Sequence, residues 1–241
     1  MAEGQELPPL TKPTKHPEEV KGYIEKGAPE PIARAMVAKD IRIERLQEEK
    51  KDATDNSLTD SLTGLPNKRC LDNIKRRMFE EAVRMNHGLT ALFIDGDDFK
   101  QINQQYGEPV GDEVIKELAK VMRESLREID FLARFGGEEF VALLPQSHNL
   151  SPEEMQKLCK RLNNAVEQHA FPDGIKQTIS IGVASFSQDQ FAAGPDELIR
   201  KANDAEHQAK NLGKNRFVVW DHTVPTVLRK NGVEIKASSP E

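Results

Sequence analysis

Residues Arg134 to Phe140 read RFGGEEF, two glycines followed by two carboxylates, set between the apolar runs FLA and FVALL. The pattern predicts a β-hairpin with acid at its tip. Paired glycines accept the positive φ of a tight turn and leave no side chain between a large flat ligand and the backbone. Adjacent Glu138 and Glu139 face opposite sides if they start a strand, so one is free to bind a metal ion while the other takes a second role. Upstream, LTALFID (Leu89 to Asp95) reads as a short buried strand that ends in the acidic GDD of Gly96 to Asp98. Mg²⁺ takes oxygen ligands at about 2.0–2.1 Å and is commonly held by one or two carboxylates plus the phosphates of a substrate. Asp95 and Glu138 suit that chemistry. Each cluster taken alone also fits a plainer account, as an acidic exposed turn or as solubilising charges at a strand end.

These groups need a scaffold. Helical spacing predicts helices over 68–85, 112–127, 152–169 and 195–211, and apolar runs predict strands near 90–95, 131–134, 139–144, 178–184 and 216–220. The hairpin joins two central strands antiparallel, which makes the domain α+β, with a mixed central sheet of about five strands and helices over one face. A chain of 241 residues with 37% hydrophobic content buries one good core and a small accessory segment. The expected divisions are a polar segment and helix over 1–57, a catalytic domain over 58–221 and a tail over 222–241, mostly extended or disordered.

Residues 1 to about 30 are rich in Pro, Lys and Glu and are expected to lack a core of their own. Ile32, Met36, Ile43, Leu46 and Ala53 then fall on one seam, interrupted by Lys39 and Lys50, in a run of strong helix formers ending near Asp55. A short parallel coiled coil fits this seam, and so does a single amphipathic helix packed on its own domain. The formal net charge of −6 excludes the basic surface of a general nucleic-acid or anionic-membrane binder. No stretch approaches the roughly 18 apolar residues of a membrane span, and the polar start lacks a signal-peptide core, so a cytoplasmic protein is expected. Cys70 and Cys159 have no metal-ligand spacing and read as two reduced thiols.

The order of the motifs carries more than any one of them. DSLTGLPNKR (Asp60 to Arg69), DGDDFKQIN (Asp95 to Asn103), YGEPVGD (Tyr106 to Asp112), RFGGEEF, TISIGVA (Thr178 to Ala184) and ANDAEHQAKNLGKN (Ala202 to Asn215) follow one another across most of the domain. Together they resemble the GGDEF family of diguanylate cyclases, with the hairpin in its GGEEF form. The resemblance implies the palm-like sheet shared with class III nucleotide cyclases. It also implies condensation of two GTP molecules into cyclic di-GMP by a homodimer in which each domain supplies half a site. By motif match, Asp95, the Gly96 carbonyl and Glu138 would bind Mg²⁺, with Mn²⁺ as a second candidate. Glu138 and Glu139 would serve catalysis, Glu139 through a second metal or as proton acceptor. Gly136 and Gly137 would admit the nucleotide, Asn103 and Asp112 would read guanine, and Lys210 and Lys214 would hold the distal phosphates.

REID (Arg127 to Asp130) matches the family's R-x-x-D inhibitory motif. The product, cyclic di-GMP, would bind Arg127 and Asp130, with Arg161 as a further arginine. Glu108, Gln104, His207 and Glu206 depart from the family's usual residues, and the last two are expected to loosen the final helix, where Tyr and Leu usually pack. None removes a metal or guanine ligand. An active cyclase is therefore preferred to a catalytically weak receptor for cyclic di-GMP, and partial use of ATP is disfavoured by Asp112. The sequence names no input signal or regulatory partner.

Overall fold

A computed structural model describes residues 17–146, 151–186, 194–220, 226–228 and 234–236. The chain divides into two compact units, Met1–Ser57 and Leu58–Glu241. In the first, α1 (Pro17–Glu25) packs antiparallel to α2 (Glu30–Asn56) through buried Val20, Ala33 and Val37. The Tyr23 hydroxyl donates to Asp40 Oδ2 at 2.7 Å across the same pair. This small core corrects the expectation that residues up to about 30 have none, although 1–16 lie outside the described residues. The predicted seam is not the buried one: Ile32, Met36 and Ile43 are exposed, and the side chains of Leu46 and Ala53 lie outside the described set.

The second unit is built on β1 (Leu89–Gly96), every residue of which is buried. A strand with no polar face needs partners on both edges and cover on both faces. It pairs antiparallel with β3 (Glu139–Pro145) on one side and β4 (Ile179–Phe186) on the other. Beyond β3 lies β2 (Phe131–Gly136); beyond β4, β5 (Phe217–Val219) runs parallel to it. Two three-residue strands, β6 (Thr226–Leu228) and β7 (Glu234–Lys236), extend the sheet to the order β2-β3-β1-β4-β5-β6-β7. The five expected strands are thus present, and the tail adds two; the rest of the tail lies outside the described residues.

Helices cover both faces rather than one. Leu92 and Ile94 face α5 (Glu108–Ser125) and α6 (Pro152–Gln168), meeting Leu118, Met122, Cys159 and Leu162. Ala91 and Phe93 face α3 (Lys68–Arg84) and α7 (Pro195–Asn211), meeting Leu71, Leu198 and Ala202. A strand that is apolar at nearly every position turns successive side chains to opposite faces and so leaves both in need of cover. Local signals set the helix starts. Asn67 accepts from the Cys70 N–H at 3.0 Å, and Ser151 and Glu154 form a reciprocal capping box. Both cysteines are free, and burial pushes the Cys159 thiol up to about 12. No helix among the described residues is long and apolar enough to cross a membrane.

One close approach sets the position of α7. A Cβ at Gly182 of β4 would overlap the Ala202 carbonyl and the Glu206 N–H of α7, both backbone atoms that have nowhere to go. Gly182→Ala is expected to destabilise the domain by about 2–3 kcal/mol through overpacking. Urea unfolding with an unchanged m-value measures it; a loss under about 0.5 kcal/mol would contradict this contact.

Candidate active site

The carboxylates gather at the end of β1. Asp95 is 5% exposed, with Glu139 opposite it on β3 and Ser180 opposite it on β4. The Gly96 N–H donates to the Glu138 carbonyl at 3.2 Å, which draws the hairpin over the strand end. Glu138 packs above the bare face of Gly96. Glu139 instead lines a cavity of about 400 Å³ between α3, β1 and α7, beside Phe93, Phe135 and His207. Only Gly137 takes a positive φ, 51°; Gly136 sits where the β2–β3 register shifts, and both glycines are exposed.

Behind the hairpin stands the opening signature. Asp60 accepts from the Thr63 N–H and hydroxyl at 2.9 and 2.7 Å, and from Arg134 Nη1 at 3.1 Å. Arg134 Nε then donates to the Gly137 carbonyl at 2.8 Å. Burial would raise the Asp60 carboxyl, but the Thr63 donors and the Arg134 charge outweigh it and hold it below its ordinary value. The turn at 60–67 is therefore a brace for the hairpin.

Helix α7 supplies the cations. Lys210 Nζ lies 2.8 Å from Asp95 Oδ2 and 3.1 Å from Glu206 Oε1, the latter close as charges but not aligned as a hydrogen bond. Glu206 is 1% exposed. One ammonium thus serves two buried carboxylates, and the trio is short of positive charge. Burial first, then the Glu206 and Glu138 charges, push the Asp95 carboxyl up to about 7 against the pull of Lys210. Burial likewise raises Glu206. Burial lowers Lys210, yet its two carboxylate partners prevail and raise it. Lys214 Nζ reaches Asp98 Oδ1 at 2.6 Å.

After β1 comes α4 (Phe99–Tyr106), a helix absent from the predicted elements, which Gly107 alone separates from α5. Its eight residues are too short to show a clear period. Asn103 lies against Gly111, where any Cβ would overlap the Asn103 Oδ1. That oxygen is buried and has no hydrogen-bond partner. Asp112, the next residue along, is exposed at the same junction. An orphaned acceptor beside a free carboxylate suits a ligand edge rich in N–H donors.

A second cluster forms before β2. The Arg127 N–H donates to Asp130 Oδ2 at 2.8 Å, and Arg123 donates to the carbonyls of Asp130 and Arg127. Arg161 Nη2 donates to the Ser125 carbonyl at 2.8 Å. Arg127, Asp130 and Arg161 line one cavity of about 170 Å³ with Glu154 and Lys157.

A family model described as "Diguanylate cyclase, GGDEF domain" matches residues 57–216. The chain belongs to the GGDEF family. It is 37% identical over 175 residues to the diguanylate cyclase DgcP of Pseudomonas aeruginosa, a match covering 70% of this chain and 25% of DgcP. The chain thus spans about a quarter of that relative's length. Among solved structures, the diguanylate cyclase SiaD of P. aeruginosa, in complex with its activator SiaC, superposes with a TM-score of 0.62 at 28% identity, covering 83% of this chain and 75% of that one. The GGDEF domain of DgcB from Caulobacter crescentus, in complex with c-di-GMP, gives 0.62 at 25% identity, covering 68% and 96%.

GGDEF diguanylate cyclases use a divalent metal ion. The donor set here fits one: the Asp95 and Glu138 carboxylates and the Gly96 carbonyl are hard oxygen ligands. Among the described residues no three His, Cys, Asp or Glu side chains close around an ion unaided. An ion held here would take its remaining ligands from substrate phosphate or water.

Three further residues, Asp97, Asp60 and Arg134, hold the site together. Asp97 is 5% exposed and accepts from Thr178 Oγ1, Ser180 Oγ and the Asn215 N–H at 2.6, 2.6 and 3.0 Å, so it is an anchor rather than a solubilising charge. Asp60 and Arg134 sit in recognised motifs 74 positions apart, with no local signal that they meet. Glu206 and His207 do not break α7, which runs unbroken from Pro195 to Asn211 with Glu206 turned to Lys210.

The raised Asp95 carboxyl yields a pH prediction. Between 3.8 and about 7 the folded chain keeps a proton there that the unfolded chain releases, so this group's contribution to stability falls as pH rises through that window. Divalent-cation binding must displace the same proton and therefore strengthens as pH rises. The cation-induced rise in Tm is expected to be small at about pH 6, larger at about pH 8, and independent of pH in Asp95→Asn. Equal cation-induced shifts for wild type at both pH values would contradict this assignment.

Proposed function

We propose that this domain is a diguanylate cyclase that condenses two GTP molecules into cyclic di-GMP and releases two pyrophosphates. The carrying observation is the convergence, at one strand end, of the Asp95 and Glu138 carboxylates, the Gly96 backbone and the Lys210 ammonium. In each half-reaction a 3′-hydroxyl oxygen bonds to the α-phosphorus of the other nucleotide. The bond from that phosphorus to the pyrophosphate oxygen breaks, and the hydroxyl proton passes to Glu139. Asp95, the Gly96 carbonyl and Glu138 would hold a divalent cation such as Mg²⁺, which would supply neutralisation of phosphate charge. Phosphoryl transfer is chiefly positioning and charge compensation, so a site of carboxylates and lysines with no strong nucleophile of its own suits it.

Lys210 and Lys214 hold the distal phosphates, and Gly136 and Gly137 leave the hairpin open to the nucleotide. Asn103 Oδ1 and Asp112 accept from the ring N–H and exocyclic NH₂ of guanine, donors that adenine does not offer in the same places. One domain brings one nucleotide, so catalysis requires two copies face to face. Cyclic di-GMP binds at Arg127, Asp130 and Arg161 and holds two domains in an unproductive arrangement, provided that it binds that state better than the active one. The DgcB complex with c-di-GMP supports a product site on a domain of this fold.

Glu138→Gln keeps the shape of the hairpin and removes its charge. Incubation with GTP and Mg²⁺ followed by chromatographic identification of the product is expected to show a loss of about 100-fold. A variant that works near the wild-type rate rejects the metal assignment, and a wild type that makes no cyclic di-GMP rejects the reading as a whole.

Arg127→Ala removes a phosphate-binding fork while sparing the backbone N–H that Asp130 accepts from. Progress curves with added cyclic di-GMP are expected to show relief of inhibition and an initial rate within about two-fold of wild type. Equal sensitivity of the two proteins would remove the feedback site.

A further inference from the structure

Both lysines assigned to the distal phosphates already have carboxylate partners outside the metal-ligand set. Lys210 Nζ is 3.1 Å from Glu206 Oε1, four residues earlier on α7 and only 1% exposed. Lys214 Nζ is 2.6 Å from Asp98 Oδ1, a contact that ties the loop after α7 to the loop after β1 across 116 positions. Both members of the second pair hold left-handed backbone, with φ of 58° at Lys214 and 56° at Asp98. Neither carboxylate is needed to brace the hairpin, and neither has been given a role in the chemistry.

We propose that Glu206 and Asp98 are specificity-determining residues that make nucleotide binding conditional on a divalent cation, by holding each phosphate-binding lysine as its counter-charge until a metal-loaded triphosphate arrives. This rests on the cyclase reading above and deepens it. Asp95, Asp98 and Glu206 set three carboxylates against the two ammonium groups, and Glu138 and Asp97 add negative charge beside Asp95 and Glu206. A bare triphosphate therefore meets a surplus of negative charge, and each lysine that turns to it must give up a carboxylate for a phosphate, an exchange of like for like. A triphosphate that carries divalent cations brings the missing positive charge, after which the lysines are released from their carboxylates at little cost. In a partly desolvated site such charge accounting weighs more than it would in water.

The mechanism gives Glu206 and Asp98 distinct signatures from a structural role. Removing the Asp98 charge frees Lys214, and removing the Glu206 charge leaves Lys210 paired with Asp95 alone, so in both variants binding of metal-free nucleotide strengthens while binding of the metal complex changes little. Asp98→Asn is the safer variant, since Asp98 is half-exposed and Asn tolerates a left-handed backbone as well as Asp does. Glu206→Gln keeps volume and hydrogen-bonding capacity in the buried position.

The test is calorimetric titration of the full chain with α,β-methylene GTP, which the domain cannot turn over, in excess EDTA and in excess Mg²⁺. Wild type is expected to bind at least about 100-fold more tightly with Mg²⁺, and each variant to narrow that gap by about 10-fold, chiefly by tighter binding in EDTA. A gap unchanged within about two-fold in Asp98→Asn overturns the proposal while leaving the cyclase reading intact. Absence of binding by wild type even with Mg²⁺ overturns both. Should Glu206→Gln fail to fold, Asp98→Asn decides alone.

Discussion

The active end of this domain hangs on one buried carboxylate. Asp97 accepts from a hydroxyl on the approach to β4, a hydroxyl within β4 and a backbone N–H after α7, and so ties the end of β1 to β4 and to the loop after α7. Charge-assisted hydrogen bonds of this length are strong and directional. With the end of β1 held in this way, Asp95 is fixed two residues before it, and the lysines of α7 and its following loop are carried to the same place. Gly182 does the complementary work from the packing side, by letting the α7 backbone lie directly on β4.

From that anchor follows an electrostatic imbalance. Asp95 and Glu206 share Lys210, and burial makes every unbalanced charge in the trio costly. A proton or a cation relieves it. This is why a structural fact, the depth at which Asp95 sits, becomes an electrostatic one: the strand end is short of positive charge.

The hairpin connects this end to a second polar site. Strand β2 begins directly after Asp130, in the Arg127 and Arg161 cavity, and ends at Gly136 in the hairpin turn. A six-residue strand spans roughly 20 Å. Asp60 and Arg134 stiffen the near end of that strand, so the hairpin is set by a brace from the opening turn as well as by its own glycines.

The sequence by itself determined the family, the five principal strands and the four long helices, because ordered motifs and apolar periodicity are local properties. The family resemblance also named Asp95, Gly96, Glu138, Lys210, Asn103 and Asp112 as candidate site residues, and folding brings Asp95, Glu138 and Lys210 to one strand end. What only the tertiary structure decided were the relations between distant segments. That helices cover both sheet faces depends on what packs above and below β1, not on β1 alone. That Asp97 is an anchor, that Asp60 grips Arg134, and that Glu206 and Asp98 partner the two lysines depend on contacts spanning from 4 to 118 positions. A carboxylate at a strand end looks the same in sequence whether it will face water, a hydroxyl or an ammonium; only folding decides its surroundings, and the surroundings decide its charge.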